Sequence, residues 1–167
     1  GRRQAAIKQS IKLQRVPGIV AEVIADDALD TFSKRLASQS AQSYAAIVVD
    51  ALDTIGTGRE AASKLEEMSW TAVGTAMDYN SFQPDAYRQD LNKNLILINA
   101  TSKGRISEAA ELMKSIYEQG CPFAAVTYSN RELKDIRRYT RNNFVCLPKI
   151  EDVLQPFIDL AFYYRFA

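Results

Sequence analysis

The chain has no histidine among its 167 residues. That absence removes Ser-His-Asp triads, histidine acid–base catalysis and histidine-containing zinc sites from anything its own side chains can do. Cysteine is scarce too. Cys121 and Cys146 are the only two, each inside an apolar run (Cys121-Pro122-Phe123-Ala124 and Phe144-Val145-Cys146-Leu147), where a thiol packs as a small hydrophobe. Two buried thiols are expected, and with them a reducing, cytoplasmic compartment. No apolar stretch approaches the ~18 residues of a membrane span, and no signal-peptide pattern is read at the start, so no membrane partner is expected. Neither charge sign dominates: 21 Lys and Arg against 20 Asp and Glu leave +1, which gives no global field to draw the chain onto nucleic acid. Repeats and low-complexity segments are absent.

What is present is ordinary globular composition, 47% hydrophobic and 25% charged, in a chain of one-domain size that can bury about 70% of its unfolded surface. The first 40 residues are helical in pattern, with Val16-Pro17-Gly18 dividing two helices and Asp26-Asp27 suiting a helix start. Beyond them, apolar runs of five to seven residues alternate with helical patterns. Strands are predicted at 44–50, 71–77, 94–100, 122–128 and 143–147, and helices at Arg59–Trp70, Ile106–Gln119, Arg131–Thr140 and Ile150–Ala167. Such strands are buried on both faces, which predicts a parallel sheet with right-handed crossovers. The fold class expected is α/β, a three-layer αβα arrangement with a five-stranded parallel sheet of flavodoxin-like type. Two linker helices precede it, with residues 1–40 as a linker or dimerisation segment and 41–167 as the domain proper.

Ligands of doubly wound sheets bind beyond the carboxyl ends of the strands. Two loops stand there. Thr101-Ser102-Lys103-Gly104-Arg105 offers two hydroxyls, a permissive glycine and two cations ahead of a helix, which suits a phosphate or merely a polar turn. Gly56-Thr57-Gly58 is neither a Walker loop nor a full G-x-G-x-x-G fingerprint and reads as a helix-capping turn or a phosphate nest. On the next helix Glu60, Lys64 and Glu67 fall on one stripe, either a solvated ion-pair face or a carboxylate–ammonium pair able to move sugar protons. Glu66 and Glu67 are about 100° apart around the helix and form no dyad. The basic cluster Arg131, Lys134, Arg137, Arg138 and Arg141 is interrupted by Glu132 and Asp135 and reads as a solvated face rather than a nucleic-acid footprint.

The segment Glu60-Ala-Ala-Ser-Lys64-Leu-Glu-Glu67-Met-Ser-Trp70 resembles E-G-A-L-K-L-K-E-I-S-Y of the second sugar-isomerase (SIS) domain in glutamine–fructose-6-phosphate amidotransferase-type proteins. Val16-Pro17-Gly18 resembles that family's leucine-proline turn, and Leu147-Pro148 with Glu151, Leu154 and Pro156 its entry to the C-terminal helix. The resemblance implies a sugar-phosphate-binding domain of a two-SIS-domain chain. It implies ketose/aldose 6-phosphate isomerisation with Glu67 as proton-transfer base and Lys64 in ring opening, no cofactor or metal, and a homodimer. The departures are that Asp50-Ala51-Leu52 replaces the family's G-R-G loop and Gln83 stands where its ring-opening histidine would be. A non-catalytic module for phosphosugar sensing or dimerisation is the alternative, and an unrelated flavodoxin-like or receiver-like domain a third reading.

Overall fold

Five short strands carry the architecture: β1 (Ala45–Asp50), β2 (Val73–Asp78), β3 (Leu95–Ala100), β4 (Ala124–Tyr128) and β5 (Phe144–Leu147). They form one all-parallel sheet in the order β2-β1-β3-β4-β5. The computed structural model describes residues 4, 10–68, 73–83, 93–128 and 134–166. The expected strand start at residues 71–72, the helix end at Ser69-Trp70 and the first residues of the Arg131–Thr140 helix lie outside them. Every residue of β3 and β4 is buried, as helix layers on both faces require.

Side chains of successive strand residues point to opposite faces, and the two hydrophobic clusters divide accordingly. On one face Ala46, Val48, Leu95, Leu97, Val126 and Leu147 meet four helices. These are α1 (Val16–Ala25), α2 (Asp27–Ala41), α3 (Ile55–Met68) and α6 (Gln155–Phe166). On the other face Ile47, Val49, Ile96, Ile98 and Ala125 pack on α4 (Ile106–Glu118) and on Ile136 of the single-turn α5 (Ile136–Tyr139). Val23 of α1 and Leu29, Phe32 and Leu36 of α2 belong to the same core as β1 and β3, so the core runs continuously across residue 40.

Local signals explain where the helices begin. Pro17 occupies the first turn of α1, where its missing N–H costs nothing. Asp26 Oδ1 accepts from the N–H groups of Ala28 and Leu29 at 2.8 and 3.2 Å, capping α2. Three boundaries differ from the sequence expectation. Helix α3 begins at Ile55, so Gly56-Thr57-Gly58 forms its first turn instead of a loop ahead of it. The described part of the Arg131–Thr140 helix is only the turn at Ile136–Tyr139. Helix α6 begins at Gln155, with Pro156 in its first turn, and not at Ile150. The cysteines also differ from each other: Cys121 is buried and Cys146 exposed, because β5 is an edge strand with a buried-exposed alternation at its end.

Gly74 has no room for a side chain. A Cβ on Gly74 of β2 would lie 2.1 Å from the carbonyl oxygen of Ala62 on α3, a backbone atom that cannot rotate away. Gly74→Ala is therefore expected to cost about 3 kcal/mol through separation of α3 from β2. At about 2–4 °C per kcal/mol for a domain of this size, calorimetry should read this as a fall in Tm; an unchanged Tm would show that the two elements are not held this closely.

Candidate functional site

Strand β1 is flanked by β2 on one side and β3 on the other, and the helices that follow β1 and β3 lie on opposite faces of the sheet. The crevice beyond the carboxyl ends of β1 and β3 is thus the topological switch point, where open α/β sheets receive ligands. Here it is filled by the chain's own side chains. Asp50, at the end of β1, is fully buried. Its Oδ1 accepts from Ala51 N at 2.7 Å and Thr54 Oγ1 at 2.6 Å, and its Oδ2 accepts from Asn99 Nδ2 at 3.1 Å. From β3 the network continues: Thr101 Oγ1 donates to Asp159 Oδ2, and Gln155 Nε2 donates to Asp159 Oδ1 at 3.0 Å. Gln155 Oε1 accepts from Ile150 N at 3.1 Å. The buried Tyr79 hydroxyl closes the other side by donating to the Asn99 carbonyl.

This network ties three loops together and is acidic. Burial pushes the Asp50 carboxyl up to about 7, against the lowering effect of its Thr54, Asn99 and Ala51 donors and with a small further rise from Asp159. Burial likewise pushes Asp159 up to about 6, opposed by Thr101, Gln155 and Asn99. The Tyr79 hydroxyl is driven well above its ordinary range, first by burial and then by Asp50, Asp53, Asp159 and Glu108.

The expected phosphate-loop residues sit at the mouth of this crevice with much of their bonding capacity already used. Thr101 and Ser102 are buried; Thr101 serves Asp159, and Ser102 Oγ donates to Asp53, 3.1 Å from its Oδ2. Lys103 and Gly104 lie exposed in a single 3-10 turn, and Arg105 is paired with Glu108 at 2.7 Å. In the first turn of α3, Thr57 is buried with its N–H bonded to Thr54 O at 2.8 Å. Gly58 has a packing role, since a Cβ there would come within 2.9 Å of Asp50 Cβ. Gly56 faces open space.

Lys64 and Glu67 stand elsewhere, on the half of α3 that runs away from the crevice. Lys64 Nζ lies 2.6 Å from Glu67 Oε2, with side-chain exposures of 16% and 58%. Lys64 also sits 5.1 Å from the ring centroid of Tyr164 on α6, whose hydroxyl donates to Glu60 at 2.8 Å. The Lys64 ammonium is held above its usual range chiefly by the Glu67 bond. Glu66 points away to accept from Gly74 N at 3.3 Å, so the adjacent glutamates form no dyad. The structure thus brings Lys64 to Glu67 and separates both from Thr101–Gly104. Among the described residues no group of three or more His, Cys, Asp or Glu is arranged to hold a metal, and no helix is long and apolar enough to cross a membrane.

Asn99, Gln155 and Asp159 were not singled out by sequence. The available signal was an amide or acid inside an apolar run, as in Leu95-Ile-Leu-Ile-Asn99-Ala and Phe157-Ile-Asp159-Leu-Ala-Phe. Buried polar groups of this kind require partners.

No family model matches the chain, and no curated protein sequence does. Solved structures do match. The C-terminal domain of glucosamine-fructose-6-phosphate aminotransferase from Francisella tularensis superposes with a TM-score of 0.71 at 14% identity, covering 98% of this chain and 46% of that one. Tagatose-6-phosphate ketose/aldose isomerase from Escherichia coli gives 0.58 at 17% identity over 89% of this chain and 41% of that one. The Vibrio vulnificus NanR protein complexed with ManNAc-6P gives 0.54 at 13% identity over 98% and 61%. The chain spans less than half the length of the first two. Identities this low speak to architecture alone, and the architecture of this chain is that of the sugar-isomerase (SIS) domains.

Proposed function

We propose that the chain is a sugar-phosphate-binding domain of a longer, dimeric SIS-type protein, in which Glu67 and Lys64 act on a ketose or aldose 6-phosphate. The observation that carries this reading is the Lys64–Glu67 contact at 2.6 Å, made by the pair that the family resemblance marks. Glu67, more than half exposed, is available to take a proton from one of the sugar carbons C1 and C2 and return it to the other. Lys64 is anchored beside it and supplies a positive charge to the enediolate oxygen that develops between those steps. Gln83 is exposed and has no acid–base capacity, so the part that the family's histidine takes in ring opening, beside Lys64, falls to a group from another domain or a second copy.

The test is deuterium exchange. With the full-length protein in D2O and fructose 6-phosphate, NMR should show deuterium entering at C1 or C2. Glu67→Gln is expected to reduce that rate by about 10²–10⁴-fold while ligand-induced thermal stabilisation persists. Exchange that is unaffected by Glu67→Gln would remove Glu67 from the reaction.

A second reading, a sugar-phosphate sensor without turnover, is favoured by the filled switch-point crevice. On that reading hexose 6-phosphates stabilise the protein and no exchange occurs. Absence of stabilisation by fructose 6-phosphate and glucosamine 6-phosphate alike would count against both.

A further inference from the structure

A groove of about 370 Å³ opens between the start of α1 and the loop that joins β5 to α6, lined by Lys12, Arg15, Val16 and Ile19 on one side and by Lys149, Ile150, Glu151 and Leu154 on the other. Its volume falls within the range of small-molecule sites, about 300–1,000 Å³. Three of the lining residues are cations and one is a carboxylate. The single ion pair among them, Lys12 to Glu151 at 2.7 Å, has both side chains nearly half exposed, so opening it costs little. Among the described residues no ion pair is recorded for Arg15 or Lys149. Lys149 is positioned by Tyr128 at the end of β4, its Nζ 4.2 Å from the ring centroid, and it follows β5 by two residues. The groove therefore lies on the carboxyl edge of the sheet.

We infer that this groove, framed by Lys12, Arg15 and Lys149, binds the phosphate group of a small phosphomonoester, whose carbon skeleton rests on Val16, Ile19, Ile150 and Leu154. Electrostatics chooses it over the switch-point crevice. A dianion at Thr101–Gly104 would approach Asp53 and Asp159, which already hold the Ser102 and Thr101 hydroxyls, and like charges at such range are repulsive. In the groove the same dianion meets a guanidinium able to bind it in bidentate fashion and two ammonium groups. The site is also distinct from the Lys64–Glu67 pair. From Gln155, next to Leu154, to Tyr164, which adjoins Lys64, α6 rises about 14 Å at 1.5 Å per helical residue, farther than one hexose 6-phosphate reaches. The ligand held here is therefore a second one, and its phosphate is the recognised group.

Amide NMR titration of the full chain with inorganic phosphate and, separately, with fructose 6-phosphate tests this. Both are expected to shift the amides of residues 12–19 and 149–154, with binding that weakens as salt rises. Arg15→Glu and Lys149→Glu should each weaken phosphate binding at least tenfold, and Lys114→Glu, on the opposite face, should leave it unchanged. Glu151→Gln should tighten binding, a gain that misfolding cannot imitate. Shifts centred on Thr101–Arg105, insensitivity to both charge reversals, no tightening with Glu151→Gln, or no phosphate binding at all would each overturn the inference. If inorganic phosphate binds in the groove while no hexose 6-phosphate binds anywhere, the groove stands and the sugar-phosphate reading of the domain falls. If fructose 6-phosphate binds undisturbed by both charge reversals, the reverse holds.

Discussion

Asp50→Ala is expected to lower the unfolding free energy by about 3–5 kcal/mol, because three neutral donors lose their shared acceptor at once. Asp50 is fully buried, and its removal leaves Thr54 Oγ1, Asn99 Nδ2 and the Ala51 N–H facing a void. Each unsatisfied buried donor costs about 1–3 kcal/mol. Asp50→Asn is the informative companion. Its side-chain oxygen still accepts from Thr54 and Ala51 and its volume is unchanged, leaving only the contact between two amide groups at Asn99 to be rearranged. Its expected cost is about 1 kcal/mol. Urea denaturation of the two variants separates the explanations: a loss for Asn as large as for Ala would mean that the negative charge, and not the hydrogen-bonding geometry, holds the crevice closed.

The second large effect is on pH. Because burial raises the native Asp50 and Asp159 carboxyls to about 7 and about 6 from an ordinary value of 3.8, the native chain binds more protons than the unfolded chain between roughly pH 4 and 7. Stability must then fall as pH rises through that window: the protonated pair is comfortable in the core, and above about pH 7 both carboxylates are buried charged. At about 1.4 kcal/mol per unit for each group, the change amounts to several kcal/mol. The titratable groups that interact with the pair, Tyr79 and Tyr163, supply no compensating cation. Below pH 4 the trend reverses, since Asp30 and Asp78 are held low by Lys34 and by Ser81 respectively and lose those contacts on protonation. Melting curves from pH 4 to 8.5 should show Tm declining above about pH 5, and Asp159→Asn should flatten the decline. A wild-type Tm that climbs from pH 5 to 8 would contradict the account.

Strand positions were legible because Tyr44–Asp50, Asn94–Ala100 and Pro122–Tyr128 are apolar runs too short for helices, and burial on both faces leaves such runs little alternative. The start of α3 was not. Gly56 and Gly58 read as loop residues on propensity, whereas both lie in the first turn of α3, and position 58 is glycine because Asp50 occupies the space a Cβ would need, a tertiary reason invisible in the local pattern. Cys146 was misplaced for a related cause: its apolar neighbours fit a buried strand, and only the sheet order makes β5 an edge. At the site, the helical spacing of Glu60, Lys64 and Glu67 put them on one stripe and, read as a solvated face, suggested an ion pair between Glu60 and Lys64. In the structure Lys64 pairs with Glu67 instead, and Glu60 accepts from Tyr164 on a helix about 100 residues distant. The crevice network was unreadable for the same reason, being assembled from β1, β3 and α6.

Arg165 of α6 donates through Nη1 to the carbonyls of Val23 and Asp26 at 2.8 and 2.7 Å, and its Nη2 lies 3.6 Å from Asp30 Oδ1. These contacts close a loop of 142 residues in sequence. During synthesis, the apolar faces of α1 and α2 that α6 covers must wait until Arg165 has left the ribosome. At about 5–20 residues per second that is an interval of roughly 7–28 seconds. Helices α1 and α2 are thus made before the sheet they pack on and covered after it, and in that interval their apolar faces are open to chaperones and to aggregation.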